Sequence, residues 1–232
     1  MEKAIIKGNG RKERDVFVFT PKQADYKDKA LSYLSRALGK KVTIKAISED
    51  LKLSYGSLHL TIHKLHEDKI INIEEIGNYK LISLNFKNML AISELARVSI
   101  KISQGIISQN KKLKRLTGLT EALRGYKEIL SIVLFGSQAR QMQHEKSDID
   151  LLVILGVNSK NNRNLINEIK VQITSFGTKE FLQIQPIIAD YQIFKSMLKS
   201  KEEINVGKEI LKDGIVLEGY ENYWKIIGEI LE

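Results

Sequence analysis

Apolar residues fall first on a helical period, then on a period of two, and later alternate between these modes, which divides the chain before any motif is considered. From Tyr26 to Leu38 the positions Ala30, Leu31, Leu34 and Leu38 share one helical face, and Gly39 follows as a stop. Residues 43–51 place Ile44, Ile47 and Leu51 at helical spacing, which predicts a short second helix. After Leu53-Ser54, with Ser54 suited to an N-cap, the positions Leu58, Ile62 and Leu65 predict a third helix from Tyr55 to about Asp68. Two extended runs within residues 70–83 meet at Gly77-Asn78, a hairpin signal. Ahead of them, Val16-Phe-Val-Phe-Thr20 follows a charged turn at 8–12. This predicts two short strands that either cover the domain behind them or pair with a second copy.

Residues 86 to about 115 carry Met89, Leu90, Ile92, Leu95, Val98 and Ile102 as one apolar stripe, predicting a long helix that ends in the basic run Lys111 to Arg115, which either only complements the helix dipole or forms a phosphate-facing patch near the active cleft. A stripe of this length also predicts a helix–helix interface, and with it a homodimer. Beyond Thr117 helices and strands alternate: helix 118–127, strand 129–135, short helix 137–142, strand 148–155, helix 161–176, strand 181–189, helix 191–198, helix 200–212, strand 215–217 and helix 220–231. The expected organisation is a front domain at 1–85, a helical connector at 86–116 and a back domain at 117–232. The fold class is α+β.

The chemistry lies in the back domain. The apolar run Ile132 to Phe135 ends at Gly136-Ser137, and after ten residues a second apolar run opens with Ser147-Asp148-Ile149-Asp150. Alternate side chains of a strand share a face. Asp148 and Asp150 are therefore expected side by side, where two like charges repel unless a cation lies between them. Hard divalent ions take this oxygen ligation, commonly with phosphates completing the shell. Gly136 lets a phosphate approach the backbone, and the helix start after it offers free N–H groups. A phosphate cradle beside a metal-binding carboxylate pair describes nucleotidyl transfer.

The motif Phe135-Gly136-Ser137, ten residues, Asp148-Ile149-Asp150-Leu151 resembles the nucleotidyltransferase superfamily related to DNA polymerase beta. Its Gly-Ser-x-Ala-Arg and Ser-Asp-Ile-Asp segments are similar to the minimal nucleotidyltransferases of archaea and bacteria. The resemblance implies a mixed-sheet core and transfer of a nucleoside monophosphate from ATP or another NTP to a hydroxyl. Asp148 and Asp150 would be the catalytic residues and would hold Mg²⁺ or Mn²⁺. Gly136, Ser137, Arg140 and Ser147 would hold the nucleotide, with Arg140 neutralising charge that develops on pyrophosphate. Family members acting as antitoxins imply a protein acceptor such as a toxin, with a nucleic-acid end second. Active members also carry a third carboxylate on a later strand. Here the in-phase positions are Gln183 and Gln185, and an amide can neither supply a charged ligand nor act as a general base. That departure leaves open a weak enzyme or a regulator with a nucleotide-binding relic.

The order helix, helix-turn-helix, hairpin over 26–84 resembles winged helix-turn-helix domains of MarR-like regulators. The resemblance implies DNA contact through Tyr55, Ser57, His59, Thr61, His63 and Lys64 on the third helix, and through Lys80 on the hairpin. Glu74 and Glu75 do not suit that role, and such domains also dock proteins. Charge favours a polyanion. Residues 1–85 carry 16 Lys/Arg against 11 Asp/Glu, residues 86–116 carry 7 against 1, and residues 117–232 carry 14 against 16. His59, His63 and His66 share a helix at metal-ligand spacing but lack partners to complete a site, and His144 falls between the motif halves. With no cysteine, no signal-peptide core and no apolar run long enough for a membrane span, a cytoplasmic protein is expected.

Overall fold

The computed structural model describes residues 4–6, 14–16, 25–140, 147–156, 162–200 and 205–231. The chain divides into two compact units, Met1–Ile102 with Leu231–Glu232, and Ser103–Ile230. No helix among the described residues is long and apolar enough to cross a membrane.

In the first unit, β1 (Ala4–Ile6) pairs antiparallel with β2 (Arg14–Val16). Helix α1 (Tyr26–Arg36) begins on Asp25, whose Oδ1 accepts from the Asp28 N–H at 2.8 Å. The two-residue strand β3 (Val42–Thr43), absent from the expected elements, runs into α2 (Ile44–Asp50), which Thr43 Oγ1 caps by accepting from Ala46 N–H. Helix α3 (Tyr55–Glu67) follows as expected, but Ser54 at its N-cap makes no side-chain capping bond. The hairpin β4 (Ile71–Ile76) and β5 (Tyr79–Leu84) turns at Gly77, whose φ of +58° suits glycine. The sheet order is β3-β5-β4. The periodic residues meet in one core, with Ala30, Leu31, Leu34, Ile44, Ile47, Leu58, Ile62, Leu65 and Ile82 buried.

The expected helix over 86–115 is broken. Helix α4 (Met89–Gln109) ends at Asn110, whose Oδ1 accepts from Lys112 and Leu113 N–H and starts α5 (Lys111–Lys114). An asparagine side chain satisfies the orphan donors of a new helix, so the apolar stripe continues while the axis does not. In the second unit α6 (Leu116–Leu123), β6 (Ile129–Phe135) and α7 (Gly136–Ala139) lead to β7 (Ile149–Leu155). Then come α8 (Arg163–Glu180), β8 (Ile184–Asp190), α9 (Tyr191–Lys199), α10 (Val206–Asp213), β9 (Ile215–Glu218) and α11 (Tyr220–Leu231). The four strands form a mixed sheet ordered β8-β7-β6-β9, with β7 and β8 parallel and the other pairs antiparallel. Unbroken apolar runs mark strands buried on both faces, and Leu151 to Leu155 in β7 are buried. The parallel register places Gln185 beside Asp150, and the antiparallel register places Phe135 on its other side.

Candidate active site

The candidate site lies at one end of β6 and β7. Strand β6 stops at Phe135 because Gly136 turns the chain with φ +72°. Only glycine fits there. A Cβ on it would run into the Asp150 carboxylate, with Asp150 Cγ at 3.0 Å. The bend thus lies directly against the second acid of the motif. Helix α7 after it is one turn long, shorter than the expected 137–142, and residues 141–146, which include His144, lie outside the described residues.

Asp150 is the second residue of β7, whereas Asp148 stands one residue ahead of the strand, not within it as expected. Both are half-buried. Burial raises the Asp150 carboxyl above the ordinary carboxylate range; the charges of Asp148 and Glu209 push it further, against an opposing pull from Arg140. Neither aspartate is ion-paired to a lysine or arginine among the described residues. Two carboxylates with no pairing cation among the described residues, beside a glycine turn, are a donor set that suits a hard divalent ion. Among the described residues no group of three or more histidines and carboxylates gathers to hold a metal. Any such ion must therefore take further oxygens from elsewhere.

Gln185 Nε2 donates to Asp148 Oδ2 at 2.5 Å, and as an amide it adds no charge to the acid pair. Gln183 is exposed just ahead of β8, its carbonyl accepting from Ile149 N–H at 2.8 Å. Asp190, at the far end of the same strand, caps α9 instead.

The other expected ligands scatter somewhat. Ser137 is half-buried in α7 beside the acids. Arg140 turns to α10, where its guanidinium donates to Glu209 and approaches Asp213 at 3.9 Å, although its charge still reaches Asp150. Ser147 is engaged through its backbone carbonyl, which accepts from Lys112 Nζ and, at 3.3 Å, from Gln138 Nε2. Lys112 belongs to the basic run that the sequence offers as a phosphate-facing patch, whereas Gln138 and Glu209 went unrecognised as neighbours of the site; Glu209 lies far along the chain from the motif and gave no local signal.

On α3 the candidates Tyr55, Ser57 and Lys64 are exposed, while His59, Thr61 and His63 are half-buried. His59 and His63 approach each other through Nε2 at 3.2 Å, and Thr61 Oγ1 donates back to Ser57 carbonyl. His66 Nδ1 is 3.2 Å from Ile71 carbonyl oxygen. Lys80 is taken by Glu75 at 3.2 Å across the hairpin. An apolar side chain, Leu60, stands out of this face at 72% exposure.

No curated protein matches the chain. Residues 118–219, which hold the Gly136-Ser137 turn, Asp148, Asp150 and the whole four-stranded sheet, match the family model described as polymerase beta nucleotidyltransferase.

Proposed function

We propose that the protein is a metal-dependent nucleotidyltransferase that moves a nucleoside monophosphate, AMP from ATP first among the choices, onto a hydroxyl of a protein or nucleic-acid acceptor. The observation that carries this is the Gly136 turn lying against Asp150, with Asp148 beside it and no cation pairing either acid among the described residues. Asp148 and Asp150 would hold Mg²⁺ or Mn²⁺, which when bound draws charge from the triphosphate oxygens. Gly136 leaves room for a phosphate, and Ser137 offers a hydroxyl. Arg140 lends positive charge from its station on Glu209. The acceptor oxygen forms a bond to the α-phosphorus, the bond to the β-phosphate oxygen breaks, and pyrophosphate leaves. The hydroxyl proton passes to solvent or pyrophosphate, because the Gln185 amide cannot take it. We read residues 26–84 as a winged helix-turn-helix whose α3 and hairpin would contact DNA, and we retain a toxin-like protein acceptor and a homodimer as parts of the same proposal.

A second reading is favoured by one contact. Gln185 donates to Asp148 in place of a third carboxylate, as expected of a transcription regulator whose back unit binds nucleotide without efficient transfer. Purified protein incubated with α-labelled ATP and Mg²⁺, beside an Asp148→Ala/Asp150→Ala variant, separates the two. Transfer by the parent alone supports the enzyme. Metal-dependent binding without transfer supports the regulator, and neither binding nor transfer removes both.

A further inference from the structure

Helix α3, in the first unit, carries three rings in one row, each a helical turn after the last: Tyr55, His59 and His63. The centroids of Tyr55 and His59 are 5.9 Å apart, and those of His59 and His63 are 4.3 Å apart with 48° between the planes. This row sets the two imidazoles with their Nε2 atoms facing at 3.2 Å. A hydrogen bond between them needs a proton on one Nε2, whereas a metal needs both Nε2 atoms bare and the protons on Nδ1. The separation suits the metal. Two Zn–N bonds of about 2.0–2.1 Å at a tetrahedral angle put their nitrogens about 3.3–3.4 Å apart, and a right angle would bring them to about 2.8–3.0 Å. The observed 3.2 Å is within about 0.2 Å of the tetrahedral span, the tolerance to which a ligand set is held. Both rings are half-buried, so an ion reaches them from solvent, and neither pairs with a carboxylate among the described residues. His66 turns instead to the Ile71 carbonyl, and among the described residues no third histidine or carboxylate joins the pair.

We infer that His59 and His63 chelate a transition-metal ion, Zn²⁺ first among the choices, with water in the remaining positions. Imidazole nitrogens select zinc, copper and nickel, whereas carboxylates suit magnesium, so this ion is of a different class from the one proposed for Asp148 and Asp150. Two protein ligands are fewer than the four that close a structural zinc site. The ion therefore exchanges with its surroundings and is not needed for folding. It places a removable double positive charge on the helix that the winged-helix reading turns toward a partner. The site does not depend on the transferase reading.

The test uses the full chain, stripped with a chelator and titrated with Zn²⁺ against a fluorescent zinc indicator. Excess Mg²⁺ is present throughout to occupy carboxylate sites, and it should not displace the zinc. Cu²⁺ should displace it, as the stronger binder to nitrogen ligands. Losing a group that merely orients a ligand costs about 10–100-fold in metal affinity, so His59→Gln and His63→Gln, which each lose a ligand, should cost at least about tenfold. His66→Gln should keep the affinity of the parent. Zinc should also raise the melting midpoint of the parent, since it binds the folded helix and not the unfolded chain, and a chelator should return the midpoint to its starting value. That rise should vanish in His59→Gln and His63→Gln, with the metal-free midpoint unchanged. In the unaltered chain, where folding is not at issue, Zn²⁺ should move the nuclear magnetic resonance signals of the His59 and His63 rings and leave those of His66 in place. The inference is overturned by any of three results: no zinc uptake by the parent in the presence of Mg²⁺, equal affinity in both single variants, or His59 and His63 ring signals that stay where they are.

Discussion

Gly136 is the residue on which the candidate site is most tightly drawn. An alanine there would hold a side chain at φ +72°, at a cost of about 1–2 kcal/mol, and would drive its methyl into the Asp150 carboxylate. The carboxylate is the part that can move, and moving it separates the acid pair. Gly136→Ala is therefore expected to fold with a lowered thermal midpoint and to lose metal-dependent ATP binding by at least about tenfold, because about 1.4 kcal/mol of lost contact is tenfold in affinity. Calorimetric melting and ATP titration measure the two losses, and an unchanged ATP affinity would place the nucleotide elsewhere. Gln185 gives the opposite kind of prediction. Gln185→Glu puts a charged oxygen where the amide now donates to Asp148, next to Asp150 in register. Without metal the third charge should lower the melting midpoint. Added Mg²⁺ should raise it by more than in the parent, and transfer should quicken by about tenfold or more, since a positioned base contributes roughly 10²–10⁴. If neither response grows, Gln185 does not stand at the reacting centre.

The elements show which parts of the chain reveal themselves by pattern. Helices α1, α2 and α3 and the hairpin were legible because each buries residues at its own period, and the motif strands because their apolar runs stop at glycine and at the acids. Three things were not. Strand β3 is two residues long, too short to carry a period, and exists because β5 offers it an edge. The break at Asn110 depends on a side chain turning back onto its own backbone, whereas the apolar stripe runs through it. The bond from Gln185 to Asp148 follows from β8 lying parallel to β7, a pairing set by the crossover α8. Packing between elements also makes a testable demand. Asp28 on α1 is buried and donated to by Arg97 at 2.5 Å and Lys101 at 2.7 Å, both on α4. Burial alone would raise its carboxyl, but these two donors together hold it below the ordinary carboxylate value of 3.8. A depressed folded value means that the unfolded chain binds the proton first. The contribution of Asp28 is thus present in full above the ordinary carboxylate range and is lost as pH falls through the lowered one. Asp28→Asn should cost roughly 1.5–3 kcal/mol near neutrality and progressively less in acid, as chemical denaturation at a series of pH values would measure. An equal cost at every pH would mean that shape, and not charge, joins these helices.

For the molecule as a whole the question is how much of its basic charge is available to a partner. Residues 1–116 carry an excess of cations, while residues 117–232 carry 14 Lys/Arg against 16 Asp/Glu. Many of the front cations are nevertheless matched at home. Lys41 pairs with Glu74, Lys80 with Glu75, Lys45 with Glu49 and Lys27 with Glu94, in addition to the pair of cations on Asp28. Both Glu74 and Glu75 lie on the hairpin that a winged helix would set against a phosphate backbone, so the charge count overstates the attraction DNA would feel. Removing the two acids should release it. In Glu74→Gln/Glu75→Gln the lysines Lys41 and Lys80 are freed and two repulsive charges vanish. Duplex affinity at low salt should then rise by about tenfold, and the salt slope should steepen by as much as about 1.8, from roughly 0.9 for each new phosphate contact. Glu168→Gln, an equal charge change per site on exposed α8, should leave the duplex slope where it was. If both variants raise affinity alike, only net charge is at work. If neither does, the hairpin does not approach a phosphate, and the exposed Leu60 and Tyr55 mark α3 as a surface for protein instead of DNA.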